Sequence, residues 1–202
     1  MIPITYGNIL AVFFNATDLE TINGADWYPT ANNAALTMAK RYSVSLEVAA
    51  GVIAALSPNN RWERNLTDAD SMIRAYSMGG HNAADSIKVG TYNANKTKAL
   101  SILSGDDCLQ ILGGLKVRAF YDCIIGGDSV CIDGHAYAIW KGERIPTTQT
   151  PKITPKIYNS IVADYRQAAR VINLILKADY SAAQIQAITW IAWRRMVKEG
   201  QS

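Results

Sequence analysis

The segment SLEVAAGVIAALSP, residues 45–58, constrains the fold of this chain more tightly than any other stretch. It is apolar on almost every side, so a helix formed there has no face to turn toward water. Ser45 is a favoured N-cap residue, and Pro58 disfavours helix at the residue before it. We therefore predict a buried helix that other elements must surround.

Helix start and stop signals recur along the rest of the chain. Thr30 is predicted to cap a helix, Thr154 caps another that begins with proline, and Ser181 caps the last one. The pair Gly79–Gly80 ends the helix that follows Arg61. About eight or nine helices with little strand are predicted by these helical patterns, so we assign an all-α fold class.

The domain organisation is predicted from the length of the chain and from the position of a proline-containing loop. A chain of 202 residues can form one domain, or two small lobes that share a core. A loop with three prolines near residues 142–153 is the only candidate boundary. We predict a single domain of two helical lobes, with residues 30–140 in one lobe and residues 1–29 together with 141–202 in the other.

Composition excludes several classes of protein. A hydrophobic fraction of 49% and a charged fraction of 18% describe a globular chain. No apolar run reaches the ~20 residues that a membrane span needs, so we expect no membrane association. The segment MIPITYGNILAVFFNATD lacks the basic residues of a signal peptide, and we interpret it as a first helix. Three cysteines without metal-ligand spacing favour a reducing, cytoplasmic location and no metal site.

Two adjacent glycines in LQILGGLKVRAFYDCI indicate a tight hairpin between two helices. Gly113 and Gly114 let the backbone turn sharply and expose N–H groups, while the second helix begins with the positive end of its dipole. Such a hairpin is suited to binding a phosphate. The alternative is an αα-hairpin that only packs.

The residues after the hairpin carry a resemblance. Lys116 opens the second helix, and Asp133 follows within an IDGH turn at the start of the next helix. A hairpin, a lysine and this aspartate turn resemble the helix-hairpin-helix DNA glycosylases, the superfamily of endonuclease III and adenine glycosylase. VIAALSPNN and TYNANKTKALSIL are similar to two further elements of that superfamily, so the resemblance extends from about residue 45 to 140.

The sequence also departs from the pattern of the superfamily. The hairpin lacks the usual proline and is one residue shorter, so Lys116 aligns with the lysine of the superfamily to within one residue. Asn59 stands where the superfamily has glutamine in the turn after Leu-Ser. The four-cysteine iron–sulfur loop is absent, so no cofactor is implied. The resemblance therefore implies a compact, divergent member with a two-lobed helical glycosylase-like fold.

Two catalytic residues are implied by the resemblance. Asp133 would stabilise the positive charge that develops on the sugar as the base leaves, or would activate a nucleophile; its other interpretation is a plain helix cap. Lys116 would attack C1′ and form a Schiff base, or would only contact a phosphate. His135 is expected to be structural.

The predicted DNA-binding residues fall into three groups. The glycines would approach a phosphate, nearby cations would add counter-charge, and the turn after the buried helix would fill the gap left by a flipped nucleotide. Solvated helix faces and a core tryptophan are the alternatives for the two lysines and for Trp62. The residues are Gly113, Gly114, Arg118, Lys96, Lys98, Asn59, Asn60 and Trp62.

The predicted function is that of a DNA glycosylase acting on double-stranded DNA with a flipped nucleotide. We expect a monomer without a nucleotide cofactor, in a bacterial or phage-infected cell. One alternative is a phage-type enzyme of the same fold that alters a modified base without excising it. Another is a non-catalytic DNA-binding protein that retains only the hairpin.

Overall fold

The computed structural model describes residues 6–198 and residue 200, and this part of the chain is helical, with no β-strand. The predicted all-α class is confirmed. The eleven α-helices are α1 (Gly7–Phe14), α2 (Asp18–Ala25), α3 (Trp27–Tyr42), α4 (Leu46–Leu56), α5 (Trp62–Asp85), α6 (Asn93–Leu103), α7 (Cys108–Ile111), α8 (Leu115–Ile124), α9 (Gly134–Lys141), α10 (Pro155–Leu176) and α11 (Ala182–Lys198). The first predicted helix begins at Gly7, and residues 1–5 of that segment lie outside the described residues.

The chain divides into two compact units. The central unit is residues 30–127, and the terminal unit is residues 1–29 together with 128–202. The sequence places residues 128–140 with the hairpin, whereas the structure groups them with the two ends of the chain. The physical reason is packing: α9 contacts α1 and α11, both in the terminal unit.

Helix α4 forms the core of the central unit, as its apolar sequence predicts. Every residue from Ala49 to Leu56 is buried, and the helix packs against α5, α6, α7 and α8. Its first turn is capped by Ser45, whose hydroxyl accepts a hydrogen bond from the Val48 N–H at 3.2 Å. A Cβ at Gly51 would lie 2.6 Å from Cys108 Sγ, so a glycine there lets α7 approach α4 closely.

Helix α11 forms the core of the terminal unit, where it packs against α1, α2, α9 and α10. Its closest approach is to α2, because a Cβ on Gly24 would lie 2.4 Å from Ile188 Cα. The predicted caps are present at both long helices. The hydroxyl of Thr154 accepts from the Ile157 N–H at 3.4 Å, and that of Ser181 accepts from the Gln184 N–H at 3.1 Å.

One predicted helix boundary differs from the structure, and a second is present but is followed by more helix. Helix α3 begins at Trp27 and not after Thr30, and the buried Tyr28 accounts for the extension, because its hydroxyl donates to Gln186 Oε1 at 3.1 Å. At the glycine pair, Gly80 has φ 69° and ψ −160°, so the helical path of α5 is broken there as predicted. A further helical turn then continues to Asp85.

Candidate functional site

The glycine hairpin, residues 112–116, lies between α7 and α8 in the central unit. Gly114 has φ 77° and ψ 145°, a conformation that is open almost exclusively to glycine. Nothing lies within 4 Å of a Cβ built there, so the backbone, not crowding, requires this glycine. Both Gly113 and Gly114 are exposed. The hairpin therefore presents open backbone at the start of α8, as the sequence predicts.

Three of the predicted cations differ in how they relate to this hairpin. Lys98 lies beside it, because its Nζ is 3.6 Å from a Cβ built on Gly113. Arg118 is tied into it, since its Nε donates to the Leu112 carbonyl at 2.7 Å. Lys96 instead pairs with Asp85 Oδ1 at 3.1 Å and also contacts the Asp85 carbonyl. Lys98 and Arg118 thus give the hairpin its positive charge.

Lys116 lies in the first turn of α8, and its side chain is exposed. An exposed ammonium is hydrated, whereas a Schiff-base nucleophile needs a desolvated site. At the start of a helix, a lysine can meet an anion together with the backbone N–H groups. The position therefore fits the phosphate-contact interpretation better than the nucleophile.

The two predicted asparagines in the turn after α4 have different environments. The Asn60 N–H donates to the Ser57 carbonyl at 3.2 Å, and Asn59 has φ 55°, as the third residue of a β-turn often does. Asn59 is exposed, and its amide donates to the Tyr92 hydroxyl at 2.8 Å. Tyr92 itself is 64% exposed, so the two side chains form a polar and aromatic tip. The DNA-binding prediction did not include Tyr92.

Asn60 faces inward and helps to hold this turn. Its Nδ2 donates to Asp68 Oδ2 at 3.0 Å, and the same carboxylate accepts from Arg64 Nε at 2.6 Å and from the Gly90 N–H at 2.7 Å. Asp68 is only 3% exposed. This buried carboxylate ties the turn to the segment before Tyr92. The sequence does not reveal the buried role of Asp68, because an arginine and an aspartate four residues apart also occur on the solvated face of a helix.

Trp62 is half-buried and packs rather than projects. Its ring lies edge-on to Phe120, with centroids 6.3 Å apart at 80°. This geometry is favourable for two aromatic rings in a core. Trp62, the first residue of α5, thus packs its ring against α8, which favours the packing alternative over stacking on a base.

Asp133 caps α9 in the terminal unit. Its Oδ1 accepts from the Ala136 N–H at 2.8 Å, and its Oδ2 accepts from Trp190 Nε1 at 3.2 Å. The residues before it are held by Tyr158, whose hydroxyl donates to the Val130 carbonyl at 2.9 Å and accepts from the Ile132 N–H at 3.2 Å. A side-chain hydroxyl thus replaces the strand partner that this β-prone run lacks.

Three further residues complete what we call the Asp133 cluster: His135, Trp190 and Arg194. The rings of His135 and Trp190 meet edge-on, with centroids 6.1 Å apart. The guanidinium carbon of Arg194 lies 4.4 Å from the centre of the Trp190 ring, a cation–π contact. The contact of His135 with the tryptophan agrees with the structural role expected of it. Neither Trp190 nor Arg194 is among the site residues predicted from the sequence.

The carboxylate of Asp133 acts on a buried neighbour through its charge. Burial raises the pKa of Tyr165, a hydrogen bond with Thr189 opposes this, and the negative charge of Asp133 raises the pKa further. The Tyr165 hydroxyl is 3.3 Å from Thr189 Oγ1. The buried Tyr165 hydroxyl therefore keeps its proton more firmly than a free tyrosine does.

The described residues contain neither a cluster of metal-ligating side chains nor a helix that could span a membrane. No group of three or more His, Cys, Asp and Glu side chains among them could hold a metal ion. None of the described helices is long and apolar enough to cross a lipid bilayer.

No curated protein and no solved structure gives a significant match to this sequence. The model of one family does match it, over residues 4–197. That family is DUF7178, whose description is "family of unknown function". The match includes both the glycine hairpin and the Asp133 cluster. The chain therefore belongs to this family of unknown function.

Proposed function

We propose that this protein is a DNA glycosylase, which flips a damaged or modified base out of duplex DNA and cleaves its N-glycosidic bond. One observation carries the proposal: Asp133 is held by two donors, the Ala136 N–H and the Trp190 indole, at the start of a helix. A carboxylate fixed in this way can stabilise charge without first reorganising.

Asp133 supports the chemical step. As the bond between C1′ and the base nitrogen breaks, positive charge develops on the sugar, and a nearby carboxylate lowers its energy. The same carboxylate can accept a proton from the water that attacks C1′, while the departing base takes up a proton from solvent. Because Lys116 is exposed, water is the nucleophile in this proposal, and the enzyme is monofunctional.

The glycine hairpin supports binding of the DNA backbone. The exposed backbone at Gly113 and Gly114 can approach a phosphate closely, and Lys98, Lys116 and Arg118 supply positive charge near it. Contacts of this kind position a duplex without reading its sequence.

The Asn59–Tyr92 tip supports base flipping. A flipped nucleotide leaves a gap in the stack, and unstacking costs a few kcal/mol. An exposed tyrosine can stack on a neighbouring base, which is worth about 1–3 kcal/mol. The hydrogen bond from Asn59 restrains the Tyr92 hydroxyl, so this aromatic ring is partly ordered before DNA binds.

The test is cleavage of duplex oligonucleotides that each carry one damaged or modified base, with alkali to reveal abasic sites and borohydride to trap any Schiff base. We expect abasic sites, no trapped adduct, and loss of cleavage in Asp133→Asn. The matched control is Asp107→Asn, because Asp107 also caps a helix through an N–H, that of Gln110 at 2.9 Å. Lys116→Ala is compared with Lys40→Ala, which removes another exposed lysine of the central unit.

Each other outcome has a defined meaning. A trapped adduct that disappears in Lys116→Ala would make the enzyme bifunctional. Cleavage that survives in Asp133→Asn would overturn the role of this carboxylate. Tight duplex binding without cleavage of any base would reject the glycosylase and leave a base-modifying enzyme or a non-catalytic DNA-binding protein.

A further inference from the structure

We infer that Trp190 and Arg194 extend the site around Asp133. Trp190 positions the Asp133 carboxylate, and Arg194 binds a phosphate of the DNA strand that carries the reacting sugar. The inference rests on the proposed function and adds to it two residues of α11. It follows from a contact chain that joins the carboxylate to the indole and the indole to the guanidinium.

Trp190 fixes the orientation of the carboxylate. A carboxylate held only by the Ala136 N–H could rotate about its Cβ–Cγ bond, but the indole N–H holds the second oxygen at 3.2 Å. The two donors come from different helices, α9 and α11. The tryptophan is itself restrained, because its ring contacts both His135 and Arg194. An indole nitrogen is a donor only, so the carboxylate oxygen is the acceptor in this hydrogen bond.

Arg194 differs sharply from the arginine that follows it. Arg195 Nε donates to Glu20 Oε1 at 2.8 Å, and its guanidinium also contacts the Asn15 carbonyl, so it joins α11 to the start of the chain. Arg194 is exposed and forms no ion pair with any carboxylate among the described residues. Within the described part of the chain, its guanidinium lies over the Trp190 ring in a cation–π contact.

A stacked arginine without an acidic partner is well suited to bind a phosphate. Stacking leaves the N–H groups at the edge of the guanidinium plane, where they match two phosphate oxygens. Holding the side chain on an indole also reduces the rotamer entropy that binding would cost. Because Trp190 touches both the cation and the carboxylate, the two charges keep a fixed relation within this unit.

The salt dependence of DNA binding tests Arg194. The probe is a short duplex with one tetrahydrofuran abasic site, bound to the full-length protein over a range of salt concentrations. Loss of one phosphate contact reduces the slope of log K against log salt by about 0.9. We expect this reduction in Arg194→Ala, and partial recovery in Arg194→Lys, which keeps the charge but loses the planar stack. The matched control is Arg170→Ala, an exposed arginine of the same unit, on α10.

A single-turnover experiment tests Trp190, with Trp190→Phe retaining the ring and removing the N–H. We expect the rate of base release to fall about 10-fold, as for the loss of a hydrogen bond to a charged group, with Kd for duplex unchanged. A purely structural role would weaken binding and folding together. As a measurement without catalysis, the Trp190 indole N–H resonance should shift in Asp133→Asn and not in Asp107→Asn.

The outcomes separate this inference from the proposed function. If the protein cleaves DNA but Arg194→Ala has the same salt slope as Arg170→Ala, the phosphate role is wrong. If Trp190→Phe releases the base at the normal rate, or if the chemical shift of the Trp190 indole N–H is unchanged in Asp133→Asn, the positioning role is wrong. If the protein binds no duplex at all, the proposed function fails, and the inference fails with it.

Discussion

The glycine hairpin and the Asp133 cluster are built in opposite ways. The hairpin takes its form from the backbone of Gly114 and from a bond between Arg118 and Leu112, which lie six residues apart. The Asp133 cluster joins side chains that lie 57 residues apart, on α9 and α11. A local turn keeps its shape as long as its own residues allow it, whereas a cluster of this kind exists only while several helices stay packed. Substitutions should therefore act locally in the first region and through tertiary structure in the second.

The largest expected effect tests whether the central unit also depends on a contact between residues far apart in the chain, the one that the Asp68 carboxylate makes. We expect Asp68→Ala to lower the free energy of unfolding by about 3 kcal/mol, because the Gly90 N–H, the half-buried Asn60 amide and Arg64 all lose the carboxylate that they share. The matched control is Asp70→Ala on the same helix. Asp70 is less buried: it pairs with the exposed Arg41 at 3.2 Å, a contact worth at most about 1 kcal/mol, and accepts one hydrogen bond from the Tyr42 hydroxyl at 2.9 Å, so its loss should cost less than that of Asp68.

Denaturant unfolding of both variants measures the difference. If Asp68→Ala costs no more than Asp70→Ala, the turn after α4 does not depend on its buried carboxylate. The Asn59–Tyr92 tip would then keep its form without support from a buried carboxylate.

The next effect concerns the hairpin itself. We expect Gly114→Ala to lower the free energy of unfolding by about 2 kcal/mol, because φ 77° with ψ 145° is strained for any residue with a Cβ. Gly113→Ala is the control, since its Cβ would meet only Lys98 Nζ at an ordinary 3.6 Å. Thermal unfolding compares the two, and equal losses would show that the backbone conformation of Gly114 does not require glycine.

A somewhat smaller effect is expected at the support of the Asp133 cluster. Tyr158→Phe removes the hydroxyl that bonds the Val130 carbonyl and the Ile132 N–H, so we expect a loss of about 1.5 kcal/mol. The control is Tyr137→Phe, a tyrosine that is also buried but has no hydrogen bond to its hydroxyl among the described residues. Chemical denaturation gives both values. An equal, small loss in the two variants would mean that the segment before Asp133 holds its shape without Tyr158.

The contrast between local and long-range structure also explains what the sequence predicts. Caps such as Ser45 and Thr154, the burial of α4 and the turn at Gly113–Gly114 depend on residues close in the chain, and each is present in the structure. Patterns of this kind are visible because their physical cause lies within one or two helical turns.

The contacts of the Asp133 cluster have no such local cause. Nothing near Trp190 in the sequence shows that its indole reaches Asp133, and its spacing to Ile188 and Ile191 resembles an ordinary buried face. The boundary of the units was misplaced for the same reason. The proline loop marks a break in the chain, but the packing of α9 on α1 and α11 decides which unit Asp133 joins.

The smallest effect tests how the terminal unit holds α11 in place. Burial favours the neutral form of Glu20, but hydrogen bonds from the Arg195 guanidinium and the Thr17 N–H outweigh it and hold the pKa of Glu20 below its usual value near 4.5. A carboxyl whose pKa is lowered on folding adds stability above its unfolded pKa, and this is lost as the pH falls through the folded pKa. We expect Glu20→Gln to cost about 1 kcal/mol at neutral pH, and the difference from the parent to shrink toward about pH 3.

Thermal unfolding of Glu20→Gln and the parent at both pH values measures this difference, with the exposed Glu63→Gln of the central unit as control. A difference that stays constant with pH would show that Glu20 contributes packing and not charge. The same variant separates the two adjacent arginines, because it removes the anion bonded to Arg195 and leaves Arg194 on Trp190. The slope of log K against log salt for duplex binding should therefore equal that of the parent, since of these two arginines only Arg194 is assigned to a phosphate.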